Sequence, residues 1–140
     1  MVYLARLKLS LSNDPMIRTN TIFPYDSEEE VKRKNKKQFV TTEDATLTVI
    51  VDYNYLFKIY APAFYEYDGA TIPFNIGKGN MKLLIPALFH DIMCDKKNIC
   101  RKLSTEIFEQ LLIDCDVNPK IAKVMAIFVD LYQKYIQKWD

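Results

Sequence analysis

The chain has 140 residues, of which 49% are hydrophobic and 13% aromatic, and its formal net charge is +1. This length fits one domain of common size, so we predict a single domain over residues 1–140. The apolar content is that of a chain with a packed core, which excludes a disordered protein. The near-neutral charge gives no strong nucleic-acid signal, since dedicated nucleic-acid binders carry a clear basic excess.

The N-terminal segment, "MVYLARLKLSLS", contains no long apolar stretch, because Arg6 and Lys8 interrupt it. We therefore predict no signal peptide. Elsewhere in the chain, no uncharged apolar run approaches the ~20 residues that a membrane-spanning helix needs. The sequence predicts no membrane span.

The first 80 residues alternate between apolar and polar side chains. In "VYLARLKLSL" (residues 2–11) and "TLTVIVDY" (residues 46–53), every second residue is apolar, as in a strand with one buried face. A further strand follows Asn54, which tolerates a tight turn, and Pro62 ends or kinks that strand. We predict an antiparallel sheet of about four strands within residues 1–80.

A charged segment, "DSEEEVKRKNKKQFV", separates the first strand from this hairpin. Three glutamates at positions 28–30 precede a run of basic residues between positions 32 and 37. One interpretation is a solvated loop or short helix whose opposite charges partly neutralise each other. The other is a docking segment for an acidic or nucleic-acid partner.

After about residue 80 the periodicity becomes helical. We predict a first helix over about Leu83–Cys94 and a second over about Arg101–Asp114. Asn118 followed by Pro119 predicts the start of a third helix, since asparagine caps helix N-termini and proline is accepted in the first turn. The third helix has large apolar residues at helical spacing, which we predict to be its buried stripe: Ile121, Met125, Phe128, Tyr132 and Tyr135, with Trp139 following. A sheet followed by three C-terminal helices that pack against it indicates an α+β fold.

The cysteines do not form a disulfide framework. There are three of them, Cys94, Cys100 and Cys115, and no pair has the Cys-x-x-Cys spacing. Such an odd, irregular set is typical of reduced and mostly buried thiols. A zinc site with four ligands would need all three thiolates and His90, the only histidine, and the irregular spacing disfavours it. We therefore predict no required cofactor.

The residues that could carry chemistry lie in two segments. "YDGATIP" places Asp68 in a predicted sharp turn, and "ALFHDIMC" places His90 and Asp91 on the first helix. A carboxylate from the turn could orient the imidazole, or Asp68 and Asp91 could share a cation. His90 would then be a general base, with Asp68 and Asp91 as its catalytic partners. Cys94, one helical turn after His90, is a further nucleophile candidate.

A structural role explains the same residues. His90 could bond a backbone carbonyl of the sheet, while Asp91 accepts N–H groups of the turn that contains Gly69 and Thr71. Arg101 is a candidate partner for Asp91, because a buried carboxylate without a partner costs several kcal/mol. Both roles require Asp91 to have a partner, so the sequence leaves them open.

The order of "DGATIP", "ALFHDIMC", "CRKLSTEIF" and a long final helix resembles an uncharacterised family of small phage and prophage proteins. The signature of that family reads Asp-Gly-Ala-Ser-Ile-Pro, then His-Asp-x-x-Tyr, then Arg-x-x-Ala-Asp-x-x-Phe. The resemblance covers about residues 46–135. It implies a phage origin, and with it a location in the virion or the host cytoplasm. It implies no established activity.

The first two motifs match closely. Residues 68–73 match the first motif, with Thr71 in place of its serine. His90 and Asp91 match the second, and Cys94 stands where that motif has tyrosine. The polar tyrosine of the signature is therefore missing.

The third motif departs further. Arg101 and Phe108 match it, whereas Ser104 and Thr105 stand where alanine and aspartate are expected. Glu106 comes one position later, which on a helix turns it away by about 100°. The loss of this aspartate weakens a catalytic interpretation.

The chemistry is also similar to that of secreted phospholipase A enzymes. In those enzymes a helical histidine activates water, the adjacent aspartate holds calcium, and a remote aspartate orients the histidine. This resemblance implies possible calcium binding at Asp68 and Asp91, with backbone carbonyls from the loop around Gly77 and Gly79. The disulfide scaffold of those enzymes is absent, and Thr105 stands at the remote aspartate position.

Two functions follow from these residues. The first is a non-enzymatic virion or assembly component that binds other phage proteins and forms homo-oligomers. The alternative is a small esterase-like or phospholipase-like hydrolase with His90 as general base. We favour the first, because two polar positions of the signature are lost.

Overall fold

The structure, a computed structural model, describes residues 7–68 and 83–139. It has an α+β fold, as the sequence predicts. The strands are β1 (Leu7–Leu11), β2 (Arg18–Thr19), β3 (Phe39–Val40), β4 (Ala45–Val51), β5 (Tyr55–Ala61) and β6 (Glu66–Tyr67). The helices are α1 (Glu28–Lys36), α2 (Leu84–Lys96), α3 (Arg101–Asp114) and α4 (Pro119–Tyr135).

The strands form two antiparallel sheets where the sequence predicted one. The larger has the order β1–β4–β5 and the smaller the order β2–β3–β6. In the larger sheet the predicted alternation is confirmed, since Leu47 and Val49 of β4 are buried and Val49 lies opposite both Leu9 and Phe57. The strands of the smaller sheet have two residues each, which is too short to produce a recognisable period.

The charged segment forms the short helix α1. The Ser27 side chain accepts a hydrogen bond from the backbone N–H of Glu30 and so caps the helix. Acidic residues occupy the first turn and basic residues the last turn, where each sign interacts favourably with the helix dipole. The local sequence therefore explains this helix without a partner.

The predicted bounds of the C-terminal helices are largely confirmed. α2 extends two residues beyond the predicted Cys94, and Lys97 ends it with a left-handed φ of 48°. α3 has the predicted bounds. Asn118 caps α4 by accepting a hydrogen bond from the N–H of Lys120, with Pro119 in the first turn.

The predicted buried stripe of α4 is wrong for most of its members. Of those residues only Met125 and the following Trp139 are buried, while Ile121, Phe128, Tyr132 and Tyr135 are exposed. The buried side of α4 consists instead of Ala122, Met125, Ala126, Val129 and Gln133. α4 has apolar residues on two sides, so its periodicity alone does not show which side is buried. Small residues on the inner side let α3 approach closely.

The fold has three layers. The inner face of the larger sheet packs against α2 and α3, and Trp139 joins this core. A second apolar cluster joins α3 to α4, so α4 is the outermost layer. Within the described parts of the chain, no helix is long and apolar enough to cross a membrane.

Candidate functional site around His90 and Asp91

His90 lies at the contact between α2 and α4. Its side chain is 3% exposed, and its Nε2 lies 2.9 Å from Oε1 of Gln133 on α4. The imidazole ring also packs against Phe108 of α3, with the ring centroids 4.9 Å apart. His90 therefore links all three C-terminal helices.

The electrostatics of His90 are those of a neutral side chain. Burial lowers the pKa of the imidazole below its usual value, and the hydrogen bond to Gln133 only partly opposes this. A neutral imidazole has one N–H, and the contact with the Gln133 oxygen assigns that proton to Nε2. His90 acts here as a hydrogen-bond donor inside the core.

Cys94 is the other reactive group beside the ring. Its Sγ lies 3.5 Å from Nε2 and 3.8 Å from Nδ1 of His90. Burial first, and then the carboxylates of Asp91 and Asp95, raise the pKa of this thiol to about 12. Only the thiolate is a strong nucleophile, so the protonated Cys94 is unsuited to nucleophilic catalysis at neutral pH.

Asp91 contacts the sheet side of the molecule, away from the ring of His90. The hydroxyl of Tyr65 lies 2.8 Å from Oδ2 of Asp91 and 2.6 Å from Oδ2 of Asp95. A phenol has a single proton to donate, so Asp91 and Asp95 share it. The Tyr65 hydroxyl thus bridges two carboxylates that lie one helical turn apart on α2.

The pKa of Asp91 agrees with this geometry. Burial is the largest cause that raises the pKa of Asp91, and the nearby charges of Asp95 and Asp68 raise it further. The hydrogen bond from Tyr65 and the charge of Lys37 act in the opposite direction. The Asp91 carboxyl group is therefore held by its hydrogen bond with Tyr65, while burial and the neighbouring charges disfavour its ionised form.

Asp68 lies just after β6 and is half-buried. It is close enough to Asp91 for their charges to interact. Among the described residues, the hydrogen-bond contacts of the His90 ring are with Gln133 and Cys94, so no contact in this set joins Asp68 to His90. Asp68 and Asp91 thus belong to the part of the site that we call the carboxylate side, which also contains Tyr65 and Asp95.

Several residues singled out in the sequence lie outside the described residues. They are Gly69 and Thr71 of the predicted turn and Gly77 and Gly79 of the glycine-bearing loop. Within residues 7–68 and 83–139, no group of three or more His, Cys, Asp or Glu side chains is arranged to hold a metal ion. The cysteines in those ranges are free thiols.

Arg101 pairs with a different carboxylate from the one considered in the sequence. Its Nη1 donates to Oδ1 of Asp130 on α4, and the Thr105 hydroxyl also donates to that oxygen at 3.0 Å. The partner of Asp91 is Tyr65 instead. Arg101 and Thr105 thus tie α3 to α4, and this explains a structural need for arginine at the start of α3.

Three residues of this site were not found from the sequence: Tyr65, Asp95 and Gln133. Asp95 follows Asp91 by one helical turn, so the spacing in "HDIMCD" places both carboxylates on one side of the helix. Gln133 is a polar residue that continues an apolar row with Met125 and Val129 at intervals of four, which is a recognisable signal of a buried polar contact. Nothing in the sequence separates Tyr65 from its neighbouring aromatic residues.

Comparison with known proteins adds no further assignment: no protein-family model matches the chain, no curated protein matches it in sequence, and no solved structure matches it. The site is therefore interpreted from its geometry. His90 and Gln133 join α2 to α4, and Asp91 and Tyr65 join α2 to the strand side. Each of these polar contacts holds two parts of the fold together, and we call each of them a polar lock.

Proposed function

We propose that the protein is a non-enzymatic phage assembly component that associates with a second copy of itself through the outer side of α4. The observation that carries this proposal is the apolar character of that side. An outermost helix normally has polar residues towards solvent, and a helix that is apolar on all sides is usually buried. The outer side of α4 therefore has the composition of an interface.

The outer face of α4 consists of large apolar residues that are between 43% and 65% exposed. Their spacing of three and four residues places most of them along one side of the helix. The members of this outer face are Ile121, Val124, Ile127, Leu131, Tyr132, Tyr135 and Ile136. Contiguous exposed apolar patches of this kind mark interaction sites.

The area of the outer face fits a dimer. A large apolar side chain buries on the order of 150–200 Å² when fully covered, so the seven half-exposed side chains of the outer face offer on the order of 500–700 Å². Each partner in a standard interface contributes about 800 Å². An apolar face is complementary to a copy of itself, and a two-fold axis perpendicular to α4 would bring two α4 helices together in antiparallel orientation.

The geometry around His90 supports a non-enzymatic role. A general base must reach a substrate proton at hydrogen-bond distance, whereas the imidazole of His90 is buried and bonded to Gln133. The phage origin, and with it a location in the virion or the host cytoplasm, is supported by the resemblance of "DGATIP" and "HDIMC" to the phage family signature. Binding to other phage proteins belongs to the same proposal.

Sedimentation equilibrium of the purified protein tests the proposal. We expect the wild type to reach a dimer mass with rising concentration, and Leu131→Lys to weaken the dimer by about ten-fold or more, because it buries an unpaired charge at the centre of an interface. Leu56→Lys is the matched control, since Leu56 is also a half-exposed leucine but lies on β5. We expect this control to dimerise like the wild type.

A disulfide cross-link tests the antiparallel arrangement. Ile127 is the middle residue of α4, and the middle residues of two antiparallel helices lie next to each other. In a Cys100→Ser background, which removes the exposed thiol, we expect Ile127→Cys to form a covalent dimer under mild oxidation. A wild type that stays monomeric at every accessible concentration would contradict the proposal, as would equal dimerisation of Leu131→Lys.

A further inference from the structure

A second surface of the protein lies along the outer edge of β5. β5 pairs with β4 over all seven of its residues. Among the described residues no strand pairs with its other edge. An edge strand presents a row of N–H and C=O groups that can pair with another extended chain. This edge is therefore able to accept a further strand.

A groove runs directly beside this edge. One wall is the β5 segment 57–60, and the other is formed by α2 and the loop after it: Ile92, Met93, Lys96, Asn98 and Ile99. The cavity has a volume of about 130 Å³. An apolar cavity of about 150 Å³ holds a molecule of the size of benzene, so this one fits a single branched aliphatic side chain. The apolar floor comes from Ile92, Met93 and Ile99.

The positive charge of the groove favours an acidic partner. Lys58 and Lys96 both line it and are exposed. Among the described residues that line it, none is acidic. Side chains alternate between the two faces of a strand, so an incoming strand with its aliphatic residue in the groove would meet Lys58 with a carboxylate one position away and Lys96 with a carboxylate two positions away. Pairs of opposite charge across neighbouring strands, such as the pair with Lys58, stabilise a sheet.

A second copy of β5 does not fit this edge. Lys58 is the middle residue of β5, so a two-fold antiparallel pairing over the full length of β5 would place Lys58 directly opposite Lys58 of the other copy. Like charges directly opposite each other destabilise a sheet. Lysine in the middle of an edge strand is a common protection against self-pairing. The occupant is accordingly a different chain.

We propose that the β5 edge binds an extended acidic segment of another protein by strand addition. The backbone of the segment pairs with β5, and one aliphatic side chain enters the groove against Ile92 and Ile99. A carboxylate one position from that side chain pairs with Lys58, and a carboxylate two positions from it pairs with Lys96. In this mode, backbone hydrogen bonds supply affinity and the side-chain pocket supplies specificity. The β5 edge is separate from the outer face of α4, so the two proposals can fail independently.

Synthetic peptides test this inference with the full-length protein. The probe is the peptide Thr-Glu-Glu-Ile-Glu-Glu-Thr, labelled with fluorescein at its N-terminus and amidated at its C-terminus, and binding is followed by fluorescence anisotropy. We expect it to bind, and we expect weaker binding when lysine replaces glutamate, when aspartate replaces isoleucine, or when alternate amides carry N-methyl groups. These three changes remove the charge pairs, the pocket contact and the backbone pairing, respectively.

Protein variants locate the site. We expect Lys96→Glu to weaken binding of the probe peptide by about five-fold or more, as reversal of a charge at an interface rim does. Lys102→Glu is the matched control, because Lys102 is exposed on α3 and does not line the groove. We expect this control to bind like the wild type. In ¹⁵N-labelled protein, the amide signals of residues 57–60 should shift on titration.

Three results would overturn the inference. The first is no binding of the probe peptide to the wild type. The second is equal binding of the N-methylated peptide, since strand addition requires its backbone N–H groups. The third is a set of shifted amide signals that excludes residues 57–60.

Discussion

His90 and Asp91 are neighbours in the chain, but the structure separates them into two different environments. His90 faces α4 and is buried beside Gln133, whereas Asp91 faces Tyr65 at the edge of the smaller sheet. Consecutive residues on a helix point about 100° apart, so a His-Asp pair in sequence is not a pair in space. A single dipeptide can therefore supply two independent polar locks, one through His90 and one through Asp91.

The two locks respond to pH in opposite ways. Burial lowers the pKa of His90 in the folded state, so its contribution to stability is present above the unfolded-state pKa of about 6.5 and is lost as the pH falls below it. The pKa of Asp91 is raised in the folded state. Its contribution is therefore present below the unfolded-state pKa of about 3.9 and is lost as the pH rises through the folded-state pKa.

The largest expected loss of stability comes from replacing His90. We expect His90→Ala to lower the free energy of unfolding by about 2–4 kcal/mol, because it removes a buried ring from between α2, α3 and α4 and leaves Gln133 without this partner. Urea titration followed by circular dichroism measures the change. Lys96→Ala, an exposed change on the same helix, should alter stability by less than about 0.5 kcal/mol.

The opposite result for His90 would change the interpretation of the site. A His90→Ala variant as stable as the wild type would mean that the imidazole does not hold the helices together. Residues whose replacement leaves stability unchanged or higher are often retained for activity. The esterase-like function would then become the leading hypothesis, to be tested with ester substrates in the presence and absence of calcium.

A smaller effect is expected on the carboxylate side. Tyr65→Phe removes the hydroxyl that contacts both Asp91 and Asp95, and we expect it to lower the free energy of unfolding by about 1–2 kcal/mol at neutral pH. Thermal unfolding at matched concentrations measures this change. Tyr25→Phe is the control, because Tyr25 is 82% exposed. Equal losses in the two variants would show that the contact with Asp91 contributes nothing.

The smallest effect is the pH dependence of Asp91→Asn. Asparagine keeps an acceptor for the Tyr65 hydroxyl and removes the charge that burial disfavours. We expect the variant to match the wild type near pH 4 and to be more stable at pH 8, by less than about 1 kcal/mol because solvent screens this half-buried group. Urea titrations across this range measure it.

The exposed carboxylate of Glu43 provides the control for that pH series. Glu43→Gln changes the net charge by the same amount as Asp91→Asn, but at an exposed position. We expect its stability to follow that of the wild type at every pH. If Asp91→Asn loses stability at pH 8, the Asp91 carboxylate is stabilised by its neighbours, and the assignment of a raised pKa is wrong.

Much of the secondary structure could be predicted from the sequence, because its signals are local. The cap and first turn at Asn118 and Pro119 set the start of α4, and the alternation in β4 set its buried face. The fold class followed from the order of these elements. The smaller sheet was not predicted, since two-residue strands carry no period and are held by partners at least 20 residues away.

The candidate site was predicted only in part. The sequence singled out His90, Asp91, Asp68 and Arg101, but it suggested Arg101 as the partner of Asp91. The structure pairs Arg101 with Asp130 instead. Charged and polar side chains choose partners by three-dimensional proximity, and several carboxylates in this chain were equally available by sequence.

By itself, the sequence determined the α+β class, the extent of α3, the start of α4, and a polar pair placed within an apolar helix. These features depend on periodicity and capping, which neighbouring residues encode. Only the tertiary structure decided which side of α4 faces the core and which side chains meet His90 and Asp91. Gln133 lies 43 positions from His90, and such a contact depends on how α2, α3 and α4 pack together, which no local pattern contains.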